Sequence, residues 1–138
     1  MNRHDRDTGS ATLELVLVAP VLLLVLAAVI AAGRLQVAHQ QVSAAAAQAA
    51  RAAAVAGSAG QAITAAQQTA PAALSADGPS CQQSTITVDT ARYHAAGSVT
   101  VRVRCLADLG GLVPGLSGHH WITGTASEVI DTYRQVTP

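Results

Sequence analysis

One uninterrupted apolar run limits what this chain can fold into. Residues 15–33 contain no charged and no polar side chain. As a helix, a run of this length spans about 30 Å, the thickness of the hydrocarbon layer of a membrane. Because the run is apolar all round, it is typical of a helix surrounded by lipid or by other membrane helices. We therefore predict one membrane-spanning segment near the N-terminus, in contact with membrane lipid.

Two residues are not explained by a plain membrane anchor. Glu14 directly precedes the apolar run, and Pro20 lies inside it. A carboxylate is unfavourable by about 2.5–3.5 kcal/mol at the bilayer centre and by less at its edge, so an anchor gains nothing from Glu14. Pro20 removes one backbone donor, which a membrane helix tolerates where neighbouring helices cover the freed carbonyl. Both residues favour a helix that assembles with others.

The N-terminal segment 1–9 is short and charged and predicts a cytoplasmic leader. Arg3 and Arg6 fit the excess of cations on the cytoplasmic side, although two aspartates and Arg34 weaken this bias. The small residues that end the apolar run leave an alternative, in which a signal peptidase cuts near Gly33 and releases a secreted domain.

The order of motifs resembles the TadE-like pseudopilins of tight-adherence pilus systems, which are similar to type IV prepilins. The matching features are Gly9, Glu14, Pro20, Gly33-Arg34 and an alanine-rich segment around Arg51 at residues 45–57. One departure is Leu15, where the family commonly has phenylalanine. The resemblance is strong over residues 9–57 and general beyond them. It implies a pilin-like fold and a role in pilus assembly.

The resemblance also implies how the motif acts. A prepilin peptidase would cut between Gly9 and Ser10, and the new α-amino group of Ser10 would pair with Glu14 of the same or a neighbouring subunit. Pro20 and Arg51 would serve assembly, with other pilins or pseudopilins and the assembly platform as partners. The simpler alternative is that Glu14 lies in a first helical turn, where it favours the helix dipole by about 0.3–1 kcal/mol.

The helix is predicted to continue outward, so that residues 10–56 form a transmembrane and extended assembly helix with its membrane part at 15–33. Small and apolar residues recur every three or four positions: Leu35, Ala38, Val42, Ala45, Ala49, Ala52 and Ala56. Such a stripe fits packing against helices of neighbouring subunits. It fits equally a helix laid on the protein's own sheet, and the pattern leaves both open.

The remaining chain predicts a small α+β domain. Residues 57–80 read as a linker with a short helix over 61–74, disturbed at Pro71, and a turn-rich end. Residues 81–138 read as an extracytoplasmic β domain with about three antiparallel strands, centred on 84–89, 99–105 and 121–130, because apolar and polar residues alternate there. The long connection at 106–116 contains glycine and proline, and the tail from Tyr133 is predicted to fray.

The two cysteines, Cys81 and Cys105, both follow the membrane segment. A pair in an exported domain predicts a disulfide, and two free thiols are the alternative. The bond matters because half of the residues are hydrophobic but only 2% are aromatic, so the core is thin and rich in alanine.

The composition gives no indication of catalysis or nucleic-acid binding. The net charge is zero and the eight basic residues, all arginine, form no extended patch. His119-His120 is the one histidine cluster, and without acidic or thiol ligands at suitable spacing a surface loop is favoured over a metal site. We expect no enzyme activity and no cofactor.

The resemblance implies a minor pseudopilin of a tight-adherence pilus, held in the cytoplasmic membrane by a single pass, with its C-terminal domain outside the cytoplasm or built into a surface pilus. The alternative from another class is a membrane-anchored extracytoplasmic binding domain unrelated to pili. Neighbouring genes for a secretion ATPase, two platform proteins and a prepilin peptidase would favour the first.

Overall fold

A computed structural model of the chain describes residues 8–77, 81–108, 110 and 117–133. Two helices precede three strands. The elements in chain order are α1 (Thr8–Ala54), α2 (Ala59–Asp77), β1 (Cys81–Arg92), β2 (Ser98–Asp108) and β3 (His119–Val129). The α+β class with a long first helix, a shorter second helix and a small antiparallel sheet is confirmed. Most of the predicted leader, much of the loop at 106–116 and most of the tail from Tyr133 lie outside the described residues.

The chain divides into two compact units between residues 34 and 35. In the first unit, the apolar side chains of α1 from Leu15 to Ile30 are all exposed. Among the described residues, α1 is the one helix long and apolar enough to cross a membrane. Side chains of this kind need a cover of lipid or of other apolar helices.

In the second unit, the three strands form one antiparallel sheet in the order β1-β2-β3. The predicted alternation on the central strand is confirmed, because Val99, Val101, Val103 and Cys105 are fully buried and Arg102 and Arg104 are exposed. The partners of Val101 are Val88 on β1 and Ala126 on β3. Strand β1 extends beyond the predicted 84–89 at both ends. Strand β3 begins two residues before the predicted 121–130 and ends one residue earlier.

The buried face of the sheet is covered by the alanine-rich helices. The stripe residues Ala38, Val42, Ala45 and Ala49 are buried, and a Cβ on Gly124 of β3 would meet the backbone of Val42. Helix α2 lies next to β1. Of the two interpretations of the stripe, the structure shows the helix packed on the protein's own sheet. Any contact with a neighbouring subunit through this part of α1 would therefore use its other face.

Helix α1 ends close to the predicted break, and a capping box begins α2. The Ser58 hydroxyl accepts a hydrogen bond from the Gln61 amide at 3.3 Å, and the Gln61 side-chain oxygen accepts one from the Gly57 amide at 3.1 Å. This reciprocal arrangement satisfies amides that a helix start leaves without partners. Helix α2 continues through Pro71 to Asp77, so the expected break at Pro71 is not seen and the start of the predicted turn-rich segment, residues 75–77, is helical. Residues 78–80 of that segment lie outside the described residues.

Tyr93, which follows β1, forms hydrogen bonds with the C-terminal end of α1. The Tyr93 hydroxyl lies 2.8 Å from the carbonyl oxygen of Ala53 and 2.9 Å from that of Ala56, and it donates to these oxygens. The Ala53 carbonyl also accepts from the Ala56 amide at 3.1 Å, so the hydroxyl adds a donor from a distant part of the chain to the carbonyls at the end of α1. No sequence pattern around Tyr93 indicates this contact.

Replacing Tyr93 with phenylalanine (Y93F) is expected to lower the free energy of unfolding by about 1 kcal/mol, because the ring stays and the carbonyls of Ala53 and Ala56 lose the hydrogen bonds from the hydroxyl. Urea unfolding of the full chain in detergent micelles measures this change. The matched control is Y133F, since Tyr133 is 95% exposed and the same change there should alter nothing measurable. Equal stabilities for the two variants would contradict the capping role.

Candidate processing and assembly site

The predicted cleavage position lies at the start of α1. Gly9 and Ser10 are the second and third residues of a helix that begins at Thr8. Both residues therefore lie at the N-terminal end of the described part of α1, ahead of the apolar run that begins at Leu15.

Glu14 is the seventh residue of α1 and is exposed. The first turn contains no acidic residue, so in the uncut chain Glu14 does not occupy the dipole-favoured position that the simpler alternative required. Glu14 follows Ser10 by four residues, and positions i and i+4 lie on the same face of a helix about 5–6 Å apart. Removal of residues 1–9 would place a new cationic terminus one turn before this carboxylate.

Pro20 lies within α1. It has no amide hydrogen, so the carbonyl oxygen of Val16 lacks the donor that an ordinary residue at position 20 would supply. Val16 is exposed, as are Leu17 and Val21 beside it. In a membrane such a carbonyl needs a neighbouring helix or a polar side chain to satisfy it, which suits the predicted assembly role.

Arg51 lies in the last turn of α1 and forms an ion pair with Glu128, which belongs to the same compact unit. Its Nε donates to the Glu128 Oε1 of β3 at 3.3 Å. The Arg51 side chain is 75% exposed and that of Glu128 35%, so the pair contributes at most about 1 kcal/mol after screening by solvent. The ion pair links the end of the helix to the sheet, a contact that the alanine-rich motif alone did not indicate.

Cys81 and Cys105 form a disulfide between β1 and β2, with Cα atoms 5.4 Å apart. In the strand pairing, Cys81 lies opposite Ala107 and Cys105 lies opposite Ser84. The pairing is irregular between Cys81 and Gln83, next to the disulfide. Cys105 is fully buried. The predicted disulfide is present, and the alternative of two free thiols is wrong.

The histidine pair predicted on a loop instead begins β3. His119 and His120 are exposed and pair with Asp108 and Ala107 of β2. Among the described residues, no group of three or more histidine, cysteine, aspartate or glutamate side chains is placed to hold a metal ion.

In a comparison with known proteins, the N-terminal segment of the chain matches one protein family. Residues 9–51 match the model of the TadE-like protein family. The match runs from the glycine of the predicted cleavage site to Arg51 and includes Glu14 and Pro20, so the resemblance noted in the sequence is confirmed over this segment. It indicates a protein associated with tight-adherence pili. No curated protein and no solved structure matches the chain.

Proposed function

Because residues 9–51 match the TadE-like family, we propose that this protein is a minor pseudopilin that a prepilin peptidase cuts after Gly9 and that acts in assembly of a tight-adherence pilus. The observation that carries the proposal is the match from Gly9 to Arg51 on a helix whose apolar side chains are exposed. The proposed role is structural rather than catalytic. Residues 35–138 lie outside the cytoplasm, and residues 15–33 of α1 form the single-pass anchor.

Cleavage and assembly are linked through charge. Before cleavage the nitrogen of Ser10 is an uncharged amide, and after cleavage it is an ammonium group. Near the membrane edge water is scarce, so the attraction between this cation and the Glu14 carboxylate is less screened than at a protein surface. An uncut subunit lacks the cation, and its Glu14 would enter the membrane uncompensated. Processing therefore selects which subunits insert stably beside their neighbours.

Mass spectrometry of the protein from its native host is expected to find Ser10 at the N-terminus, with residues 1–9 missing. Changing Gly9 to valine (G9V) should leave the leader in place, because a branched side chain obstructs the cleavage position. The control is Gly33→Ala, also in α1, where an added Cβ meets no atom within 4 Å and processing should be normal. An intact leader on the wild-type protein in cells that make pili would contradict the processing step.

Neutralising Glu14 with glutamine (E14Q) is expected to leave cleavage intact and to reduce the number of pili by about tenfold or more. The amide keeps the size of the side chain and removes the charge, so loss of an ion pair stronger than about 1.4 kcal/mol gives such a factor. Electron microscopy counts the pili, and mass spectrometry shows whether residues 1–9 have been removed. The two measurements separate cleavage from assembly. Normal piliation by a fully processed E14Q protein would overturn the ion-pair role.

A further inference from the structure

The sheet face opposite the helices carries polar side chains in ordered rows. Strand register places two threonine–arginine–threonine rows side by side: Thr85, Arg104 and Thr123, then Thr87, Arg102 and Thr125. All six side chains are exposed. We call this surface, together with Trp121, the arginine–threonine face. The two cations thus lie on the central strand of this face, and each has a threonine beside it on both neighbouring strands.

Trp121 extends this face beyond the first row. The guanidinium carbon of Arg104 lies 4.8 Å from the centre of the Trp121 ring, and the residue is still 40% exposed. Stacking on the ring restrains the guanidinium and leaves its edge N–H groups available to an anion. An exposed aromatic ring beside a restrained cation is thus presented at the surface before any ligand arrives.

The charges of the face are available for binding. Among the described side chains, neither Arg102 nor Arg104 forms an ion pair. The two arginines are separated by two residues of strand, or about 6.5–7 Å, so they suit two successive negative groups rather than one. Asp89 lies one row beyond Arg102, where its Oδ1 accepts a hydrogen bond from the Ala91 amide at 2.9 Å. A shallow depression lies between Thr87, Asp89 and Arg102.

We propose that the arginine–threonine face binds a carboxylated polysaccharide. The arginines would pair with carboxylates on successive sugar units, the threonine hydroxyls would exchange hydrogen bonds with sugar hydroxyls, and the Trp121 ring would lie against an apolar sugar face. Single-stranded nucleic acid is less favoured, because the face offers two cations and one ring in a chain with no net charge. The proposal goes beyond pilus assembly and does not depend on cleavage or on Glu14.

Trp121 is the only tryptophan in the chain, so its fluorescence reports on this face directly. The full chain in phosphatidylcholine nanodiscs would be titrated with an oligogalacturonate, a maltooligosaccharide of equal length and an oligothymidylate. We expect a saturable change with oligogalacturonate and binding at least about tenfold weaker for the uncharged sugar. Absence of saturable binding, or equally tight binding of oligothymidylate, would overturn the proposal.

Variants then locate the site. The double variant R102Q/R104Q is expected to weaken oligogalacturonate binding by more than about tenfold, while R34Q, which removes an exposed cation from α1, should change it by less than about twofold. Thermal unfolding checks that the double variant folds, and the single variants replace it if it does not. A folded variant that binds like the wild type would refute the assignment. Piliation should stay normal in R102Q/R104Q, which separates failure here from failure of the pilus role.

Discussion

Changing Gly124 to alanine (G124A) is expected to lower the free energy of unfolding of the second unit by about 3 kcal/mol or more. A Cβ at this position would lie 2.6 Å from the carbonyl oxygen of Val42 and 2.8 Å from the Cα of Ser43. Both are backbone atoms of α1, so no side-chain rotation can relieve the clash. The helix must move away from β3, and the buried alanines of the stripe then lose their close contact with the sheet.

Urea unfolding of the full chain in detergent micelles, followed by Trp121 fluorescence, measures the effect of G124A. Gly60→Ala is the matched control, because Gly60 lies inside α2 and an added Cβ there meets no atom within 4 Å. This control should raise stability by about 0.5–1 kcal/mol, since alanine is the better helix former. If both variants unfold at the same urea concentration, the close approach of α1 to β3 is not what stabilises the unit.

The strand faces were predictable from sequence because side chains on a strand alternate strictly. Val99, Val101 and Val103 could only share one side of β2, and the structure buries all three. What alternation does not show is which element covers that side. Gly124 lies on the buried face of β3, but its lack of a side chain has meaning only because the backbone of Val42 lies against it.

The alanine stripe of α1 illustrates a different limit. Small residues at three- and four-residue spacing permit close packing on any flat partner, so the pattern is the same for a neighbouring helix and for the protein's own sheet. Tyr93 and Glu128 were missed for a related reason. Their partners lie far along the chain, since Arg51 and Glu128 are 77 positions apart, and nothing in a single sequence links such positions.

The candidate processing and assembly site was accessible to sequence analysis because it is local. Gly9, Glu14 and Pro20 lie on one continuous helix, so their spacing alone gives their relation. The position of Glu14 within that helix was harder to predict. Its interpretation as a first-turn residue required α1 to begin close to it, whereas α1 begins at Thr8 and includes part of the predicted leader.

Removing the disulfide (C81A/C105A) is expected to lower the free energy of unfolding by about 3–4 kcal/mol, because the bond closes a loop of 24 residues and restricts the unfolded chain. The buried side chains are mostly alanine, which bury little area each, so few other contacts offset the loss. Loss of this magnitude is a large part of the stability of a small domain. The variant should be partly unfolded at 37 °C.

The prediction is tested by comparing the wild type and C81A/C105A with and without dithiothreitol in urea unfolding. Reduction should lower the stability of the wild type to nearly that of the variant and should leave the variant unchanged, since it has no bond to break. Cys105 is fully buried between the sheet and the helices, whereas Cys81 is partly exposed. The single change C105A should therefore be less stable than C81A by about 1 kcal/mol, because it also removes buried sulfur from the core. Equal stability of oxidised and reduced wild type would show that the core alone holds the domain.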